Sequence, residues 1–534
     1  FVFPDGMEFG ASNPQAPPLL TMSVPVGVQY GAQSGNITNQ GNLTVGQDLT
    51  LAGGNLDLQG QLQAGRDLTL QAQDTVQVRD SATHPFIAAA GGTLLVQGNQ
   101  GVDIVALSHP NSGLFSGRDM VLRSANTVGG DIHYWSGGNF RIETLDGDFG
   151  SLFSPGDPVI RASGDVSFDN YMGASLHIFA GGSVTITGDV TITGADTEGN
   201  SIVETVTLSD DSTIDIDGST EPTLDIRAGT TEFGTIGNPG NVNIDNPPGI
   251  NGTQTSADIN IGSISISDNI SNNGGIVFIT NQYKPNSLGS PNGITISSIS
   301  INDGGSVFID SRSGITLNEY IFTFPTKDEA SNGRVALFAG SNITVNGRVD
   351  TSVLASNNNN QDSSLGGDIM LSARENITLN GNLNASADQT NESTGGNITV
   401  EAEGNITLKP QSRIETKSNN NTTSNFNAIS LQTRNGSVFL NQATLNVDND
   451  GSGFAGDISI DARDRIEITN DSTISANGNS GFISVGTNSQ PQTVVIDNSK
   501  LTTQAEGEQI AGNISMDARD RIEITNDSTI SANG

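Results

Sequence analysis

"GGDIMLSARENITLNGNLNAS" occupies residues 366–386 and contains three short runs, "GGDIML", "ENITL" and "GNLNAS", in which apolar and polar residues alternate. Alternation with period 2 is the pattern of a pleated strand with one face buried and the other in water. The triplet returns downstream. Its first run comes back as "GGNITV" from Gly395, "NAISL" from Asn427, "GDISI" from Gly456, "GFISV" from Gly481 and "GNISM" from Gly512, a period of 25 to 31 residues. The second returns as "GNITL" at 404–408, "GSVFL" at 436–440, "DRIEI" at 464–468, "TVVI" at 493–496 and "DRIEI" at 520–524. The third follows in the same order as "SRIETKS", "ATLNV", "STISA", "SKLTTQA" and "STISA". Eighteen letters, "DARDRIEITNDSTISANG", even stand unchanged at 461–478 and 517–534, two periods apart. That stretch is two strands and a corner approach, so its duplication repeats part of a larger unit.

Three strands per period, turn residues between them and no helical periodicity predict an all-β fold. The expected architecture is a right-handed parallel β-helix (β-solenoid) with three short strands per rung. One rung buries almost nothing; stacking at about 4.8 Å piles Ile, Val and Leu of successive rungs into interior columns. Gly, Asn and Asp fit the corners, where some residues need positive φ. Triplets such as Asn376-Ile377-Thr378 and Asn397-Ile398-Thr399 match glycosylation acceptors, but a corner followed by a strand spells the same letters, and that is the reading taken here.

The amino-terminal half follows the same grammar at spacings of 18 to 26, in "GQDLTL" (46–51), "GRDLTL" (65–70), "GGTLLV" (91–96), "GRDMVL" (117–122), "GGNFRI" (137–142), "GDVSF" (164–168) and "GGSVTI" (181–186). Between about 190 and 365 the spacing loosens, and "GNPGNVNIDNPPG" and "YKPNSLGSPNG" read as loops on one side of the coil. Roughly 20 rungs would make a rod on the order of 100 Å long.

Composition excludes several classes. With 34% hydrophobic and 5% aromatic residues, a large core anchored by aromatics is not expected. A net charge of −36, spread along the chain, would repel phosphate backbones and anionic lipids, so no nucleic-acid partner is expected. The absence of cysteine removes disulfides and thiolate chemistry and is compatible with passage through a periplasm. No run approaches the roughly 18 apolar residues of a transmembrane helix. The start at Phe1 and the stop inside a rung read as the ends of a fragment, with any signal peptide upstream.

Residues 1–31, "FVFPDGMEFGASNPQAPPLLTMSVPVGVQYG", break the solenoid grammar with a dense apolar run and five prolines. Together with "GNITNQGNLTVGQDLTLAGGNLDLQG" they resemble the end of the secretion domain of filamentous-haemagglutinin-like exoproteins of the cyanobacterial type, and "LLTMSVPVGVQYG" resembles its closing segment. "WSGGNFRIETLDGDFGSLFSPGDPVIRASGDVSF" and "YMGASLHIFAGGSVTITG" are similar to segments of the same group, so the resemblance extends to about residue 205. The Asn-Pro-Asn-Gly motif of that domain is absent. The resemblance implies export by two-partner secretion, with an outer-membrane β-barrel transporter as partner and a secreted, extracellular or outer-membrane surface location. The expected organisation is 1–34, the end of the secretion domain; 35–205, a first β-helix segment; 206–365, a looser β-helix with inserts; and 366–534, regular repeats.

β-Helices also host polysaccharide lyases and hydrolases, which gather carboxylates with a basic residue on neighbouring rungs. Asp210-Asp211 in "LSDDSTIDID" is the adjacent acid pair of that kind, but no basic residue lies within about ten positions of it. No catalytic set is identified, and an acid-rich corner is the simpler reading. All four histidines (His84, His109, His133, His177), the one tryptophan and Tyr134 fall in the first third. If rungs bring "DIHYWSGGNFRIE" beside "RDMVLRS", then Arg123, His133, Tyr134, Trp135 and Arg141 form a partner-binding patch; alternatively the two aromatics fill a wider rung. No zinc spacing, EF-hand loop, calcium-binding nonapeptide or phosphate loop occurs, so no cofactor is expected; weak calcium binding at acidic clusters such as "DNDGSGFAGD" stays open. The expected function is a secreted or cell-surface adhesive rod with a host-cell, matrix or polysaccharide receptor. The alternatives are a carbohydrate-active β-helix enzyme and a stalk for an effector domain.

Overall fold

The computed structural model describes residues 34–156, 158–196, 201–232, 254, 256–267, 274–302, 304–324, 333–353, 365–387, 393–420, 428–505 and 509–534. Among them the regular elements are all strands, and all but the two of one antiparallel hairpin fall into three parallel ladders that wind around one interior. The first ladder has seventeen strands, from Leu43–Val45 to Ile514–Met516. The second runs from Leu49–Gly53 to Arg521–Thr525 and the third from Ile37–Asn39 to Thr529–Asn533. These two merge into one 33-stranded sheet because Ile259–Ile266 and Ile294–Asn302 pass through both without a corner. A parallel β-solenoid is therefore the fold, with three strands in each regular rung.

Register explains the alternation in sequence. Ile343, Ile377, Ile406, Val438, Ile466 and Val494 are successive partners in the second ladder, and each is fully buried. Seventeen first-ladder strands imply a rod on the order of 80 Å, shorter than expected because residues 190–365 go partly into inserts instead of rungs.

Two corner devices fix the period. Gly65, Gly91 and Gly117 stack so closely that a Cβ on each would lie 2.3–2.4 Å from the carbonyl oxygen of the glycine one rung earlier. Only glycine fits that approach. Beside them an Asx ladder links rungs: the Asp67 carboxylate accepts from Thr93 N (2.8 Å), Asp119 from Asn139 N (2.7 Å), Asn139 from Asp165 N (2.8 Å) and Asp165 from Ser183 N (2.8 Å). The carboxy-terminal half repeats the device, with Asn342 accepting from Asn376 N at 3.0 Å and Asn376 from Asn405 N at 2.8 Å. The first Asn-x-Thr triplet is thus a rung-to-rung connector.

The 190–365 region departs from rungs most clearly at 203–217, where Val203–Thr207 and Thr213–Asp217 form an antiparallel hairpin. Its turn holds Asp211 at φ 67°. The "YKPNSLGSPNG" loop is tied to the coil by Asp258, which accepts from Asn292 N (3.1 Å) and Gly293 N (3.0 Å). "GNPGNVNIDNPPG" and the opening segment 1–33 lie outside the described residues.

Candidate functional site

A regular strand here buries alternate side chains. Several first-ladder strands instead bury every position: Ile87–Ala90, Gly113–Ser116, Val159–Ala162, Leu176–Ala180, Thr223–Arg227, Ile276–Thr280 and Val335–Ala339. Along these strands the outward side of the ladder is covered, and the unusual chemistry of the molecule collects beside them.

The five residues singled out from sequence divide among three places. Tyr134 points into the core, donating its hydroxyl to Gly130 O at 2.6 Å and meeting Phe140 edge-on at 5.0 Å. Trp135 faces outward on the same strand but is buried against Ile87, Ala89 and Phe115. His133 precedes them, its Nδ1 accepting from Val159 N at 3.2 Å; burial first, then the charges of Arg161 and His177, push its pKa down to about 3. Arg123 and Arg141 stand on adjacent rungs of the second ladder and share Glu143, at 2.7 and 2.9 Å. The structure joins the two arginines through that carboxylate and places the aromatic pair elsewhere.

Sequence reading missed a buried ionic cluster. Arg227 is fully buried, with Nε and Nη2 on the two oxygens of Asp225 (2.9 and 2.8 Å) and Nη1 on Glu204 of the hairpin (2.9 Å). Its guanidinium lies 4.3 Å from the Tyr283 ring and 4.8 Å from the Phe179 ring, and Tyr283 donates to Glu204 at 2.6 Å. Burial alone would raise the Asp225 carboxyl, but Arg227 and His177 together hold it below the ordinary carboxylate range. Asp225 and Arg227 are neighbours on one strand, but Glu204 lies 23 positions before Arg227 and Tyr283 lies 79 positions after Glu204, so no local motif announces the cluster.

The same cluster brings His177 Nδ1 to 3.2 Å from Asp225 and its Nε2 to 3.5 Å from Ser201 Oγ. This has the order of a nucleophilic triad without its function: His177 is fully buried, Asp225 is committed to Arg227, and 3.5 Å is the outer limit of a hydrogen bond.

The hairpin lays Val206, Leu208, Ile214 and Ile216 on a second small core built by Phe278, Phe308 and Phe338. Beyond its tip opens a groove of about 500 Å³, floored by Phe338, Met370 and Ser372 and edged by arginines and carboxylates. Asp210 lies on its rim, bonded to Ser212 and 3.7 Å from Arg334. Three-dimensional folding thus supplies the basic neighbour that sequence proximity lacks. Among the described residues no group of three or more His, Asp or Glu side chains converges in a way that could hold a metal, and no helix is long and apolar enough to cross a membrane.

The amino-terminal rungs, with their stacked glycines and Asx ladder, belong to a recognisable unit. Residues 1–142 match the TPS secretion domain. The TPS secretion domain is typical of two-partner-secretion exoproteins of the filamentous-haemagglutinin family, and proteins bearing it are exported through a cognate outer-membrane transporter. It is a secretion module without catalytic function. The chain is a TPS-domain-bearing, β-helical, secreted structural protein. All five residues of the sequence-derived patch lie inside the TPS match, whereas the hairpin, the ionic cluster and the groove lie beyond it. No curated protein and no solved structure matches the chain.

Proposed function

We propose that this protein is an adhesive rod of the filamentous haemagglutinin type, displayed outside the cell or on the outer-membrane surface and attaching to cells, matrix or polysaccharide. The observation that carries this reading is the TPS match at the start of a stack that continues to the last residues of the chain. A secretion module joined to a long, regular stack exports reach and a repeated surface. Because Arg123, His133, Tyr134, Trp135 and Arg141 fall within 1–142, any partner they engage is assigned to the export step, the transporter being the candidate.

The carbohydrate-active enzyme is the second reading, favoured by one observation: the groove is walled by an insert and carries Asp210, Glu401 and Glu403. Against it, Asp210 already serves its own turn through Ser212, which leaves it poorly placed as a catalytic acid. Binding of the purified chain to a glycan array and to intact cells, with release of reducing or unsaturated sugar ends followed in the same samples, separates the two. Retention without new ends is expected. New ends would replace the adhesive reading with the enzymatic one.

A further inference from the structure

We infer that the groove beyond the hairpin tip binds an extended polysaccharide carrying a carboxylate on every second sugar. This inference rests on the adhesive reading and assigns it a site and a ligand class.

Register supplies the argument. The strands Ser306–Ser311, Val335–Ala339, Ile369–Ala373, Ile398–Ala402 and Ala428–Thr433 pair in sequence, so the residues that follow them, Arg312, Gly340, Arg374, Glu403 and Arg434, form one column along the groove edge. Past the groove's end Arg463 follows on the rung next to Arg434, but within the groove arginine recurs at every second rung, about 9.6 Å apart at the interstrand spacing. That is about the length of a disaccharide in an extended chain. The position between the first two arginines is Gly340, and between the second two it is Glu403.

The arginines have charge to offer. Among the described residues none of Arg312, Arg374 and Arg434 makes an ion pair. Arg312 is held by four carbonyl oxygens, with Nε on Asn281 O (2.5 Å), Nη1 on Leu288 O (2.9 Å) and Asn286 O (3.2 Å) and Nη2 on Gly229 O (2.8 Å), so it adds positive charge at the groove end while its fork is taken, and the forks that can meet a carboxylate are those of Arg374 and Arg434. Arg374 and Arg434 are exposed. Guanidinium is the group that recognises carboxylate by a planar fork.

The lining also sets the spacing of charge on the ligand. Three arginines and three carboxylates, Asp210, Glu401 and Glu403, line the groove, and Asp210 is paired with Arg334, which leaves Glu401 and Glu403 as its unpaired acids among the described residues, in a chain of net charge −36. A polymer with a carboxylate on every sugar would set one of them against Glu403. A sugar without a carboxylate can instead donate hydroxyls to that glutamate, while half-buried Met370, over Phe338, supplies apolar surface for a sugar face.

The test measures binding of the full chain to decasaccharides of hyaluronan (a carboxylate on every second sugar), of polygalacturonate (on every sugar) and of dextran (none), with poly-glutamate as the acidic peptide control. Hyaluronan is expected to bind at least tenfold tighter than the other three. The double variant R374Q/R434Q should lose that preference by tenfold or more, S372W should lose binding by filling the floor, and K500Q, on a distant exposed position, should change nothing. Equal binding of dextran, equal binding of poly-glutamate, or an unaffected R374Q/R434Q would each overturn the inference. A chain that attaches to cells yet shows no preference among the sugars overturns the groove and leaves the adhesive reading standing. Failure to attach to cells or to any glycan removes both.

Discussion

A guanidinium wholly out of water needs each donor and its charge answered, and Arg227 achieves this with residues of a rung (Asp225), of the hairpin (Glu204) and of a loop (Tyr283). Removing one partner of a buried pair strands the other, at a cost of about 3–5 kcal/mol. Arg227→Met is expected to lower local stability by that amount, read as faster hydrogen exchange across 203–227, and D225L/R227M should recover much of the loss because no charge is then left buried. His133 gives a pH effect of defined sign. Its ring is neutral in the fold, with a pKa of about 3, whereas the unfolded ring titrates near 6.5, so below that pH the unfolded chain takes up a proton the folded one refuses. Stability should fall between pH 6.5 and 4.5 by about 2 kcal/mol, discounted for partial exposure of the ring. Urea unfolding at both pH values should show a smaller fall for His133→Gln; an equal fall would show that His133 contributes nothing to it.

At the scale of elements, the alternation in "VETVTL" and "STIDID" is that of any rung strand, which is why sequence places the 190–365 stretch in a loosened coil. Period 2 reports a half-buried strand and is silent on its partner. The discriminating signal is the connection: only five residues separate Thr207 from Thr213, enough for a hairpin and too few for a circuit of the coil. The strands of 366–534 were legible one by one, because each rung repeats the same order of three strands and the same interior columns. The ionic cluster and the groove were not, since their members meet only through register across rungs and through a folded insert. If the hairpin is a separately docked cover, Ile216→Asp, fully buried beneath it, should undock it and expose Phe278 and Phe308. The expected result is new dye-binding apolar surface and proteolytic cleavage within 203–217, with far-ultraviolet dichroism of the coil unchanged. Loss of the coil signal in step with cleavage would instead make the hairpin part of one cooperative unit.

At the scale of the whole molecule, each rung contacts only its neighbours, so stability is close to a sum of rung and interface contributions, and the rung should be the unit that can be removed. Asp457 pairs with Phe482 and Ile458 with Ile483, so deleting residues 457–481 joins Gly456 to Phe482 and excises one circuit. Afterwards Ile429 meets Ile483 in the first ladder, Val438 meets Val494 in the second and Leu445 meets Leu501 in the third, apolar on apolar throughout. This deletion is expected to fold, with a melting temperature within a few degrees of the parent and a rod about 5 Å shorter by small-angle scattering. Deleting 461–478, the first copy of the eighteen repeated letters, should do worse despite removing fewer residues. It takes away the strands Arg465–Thr469 and Thr473–Ser475 but leaves most of Asp457–Asp461, so the chain must cross the coil without completing a turn. Two ladders then break at that level and their interior columns open to water. Equal stability of the two deletions would mean that the repeated letters, and not the three-strand circuit, are the element that stacks.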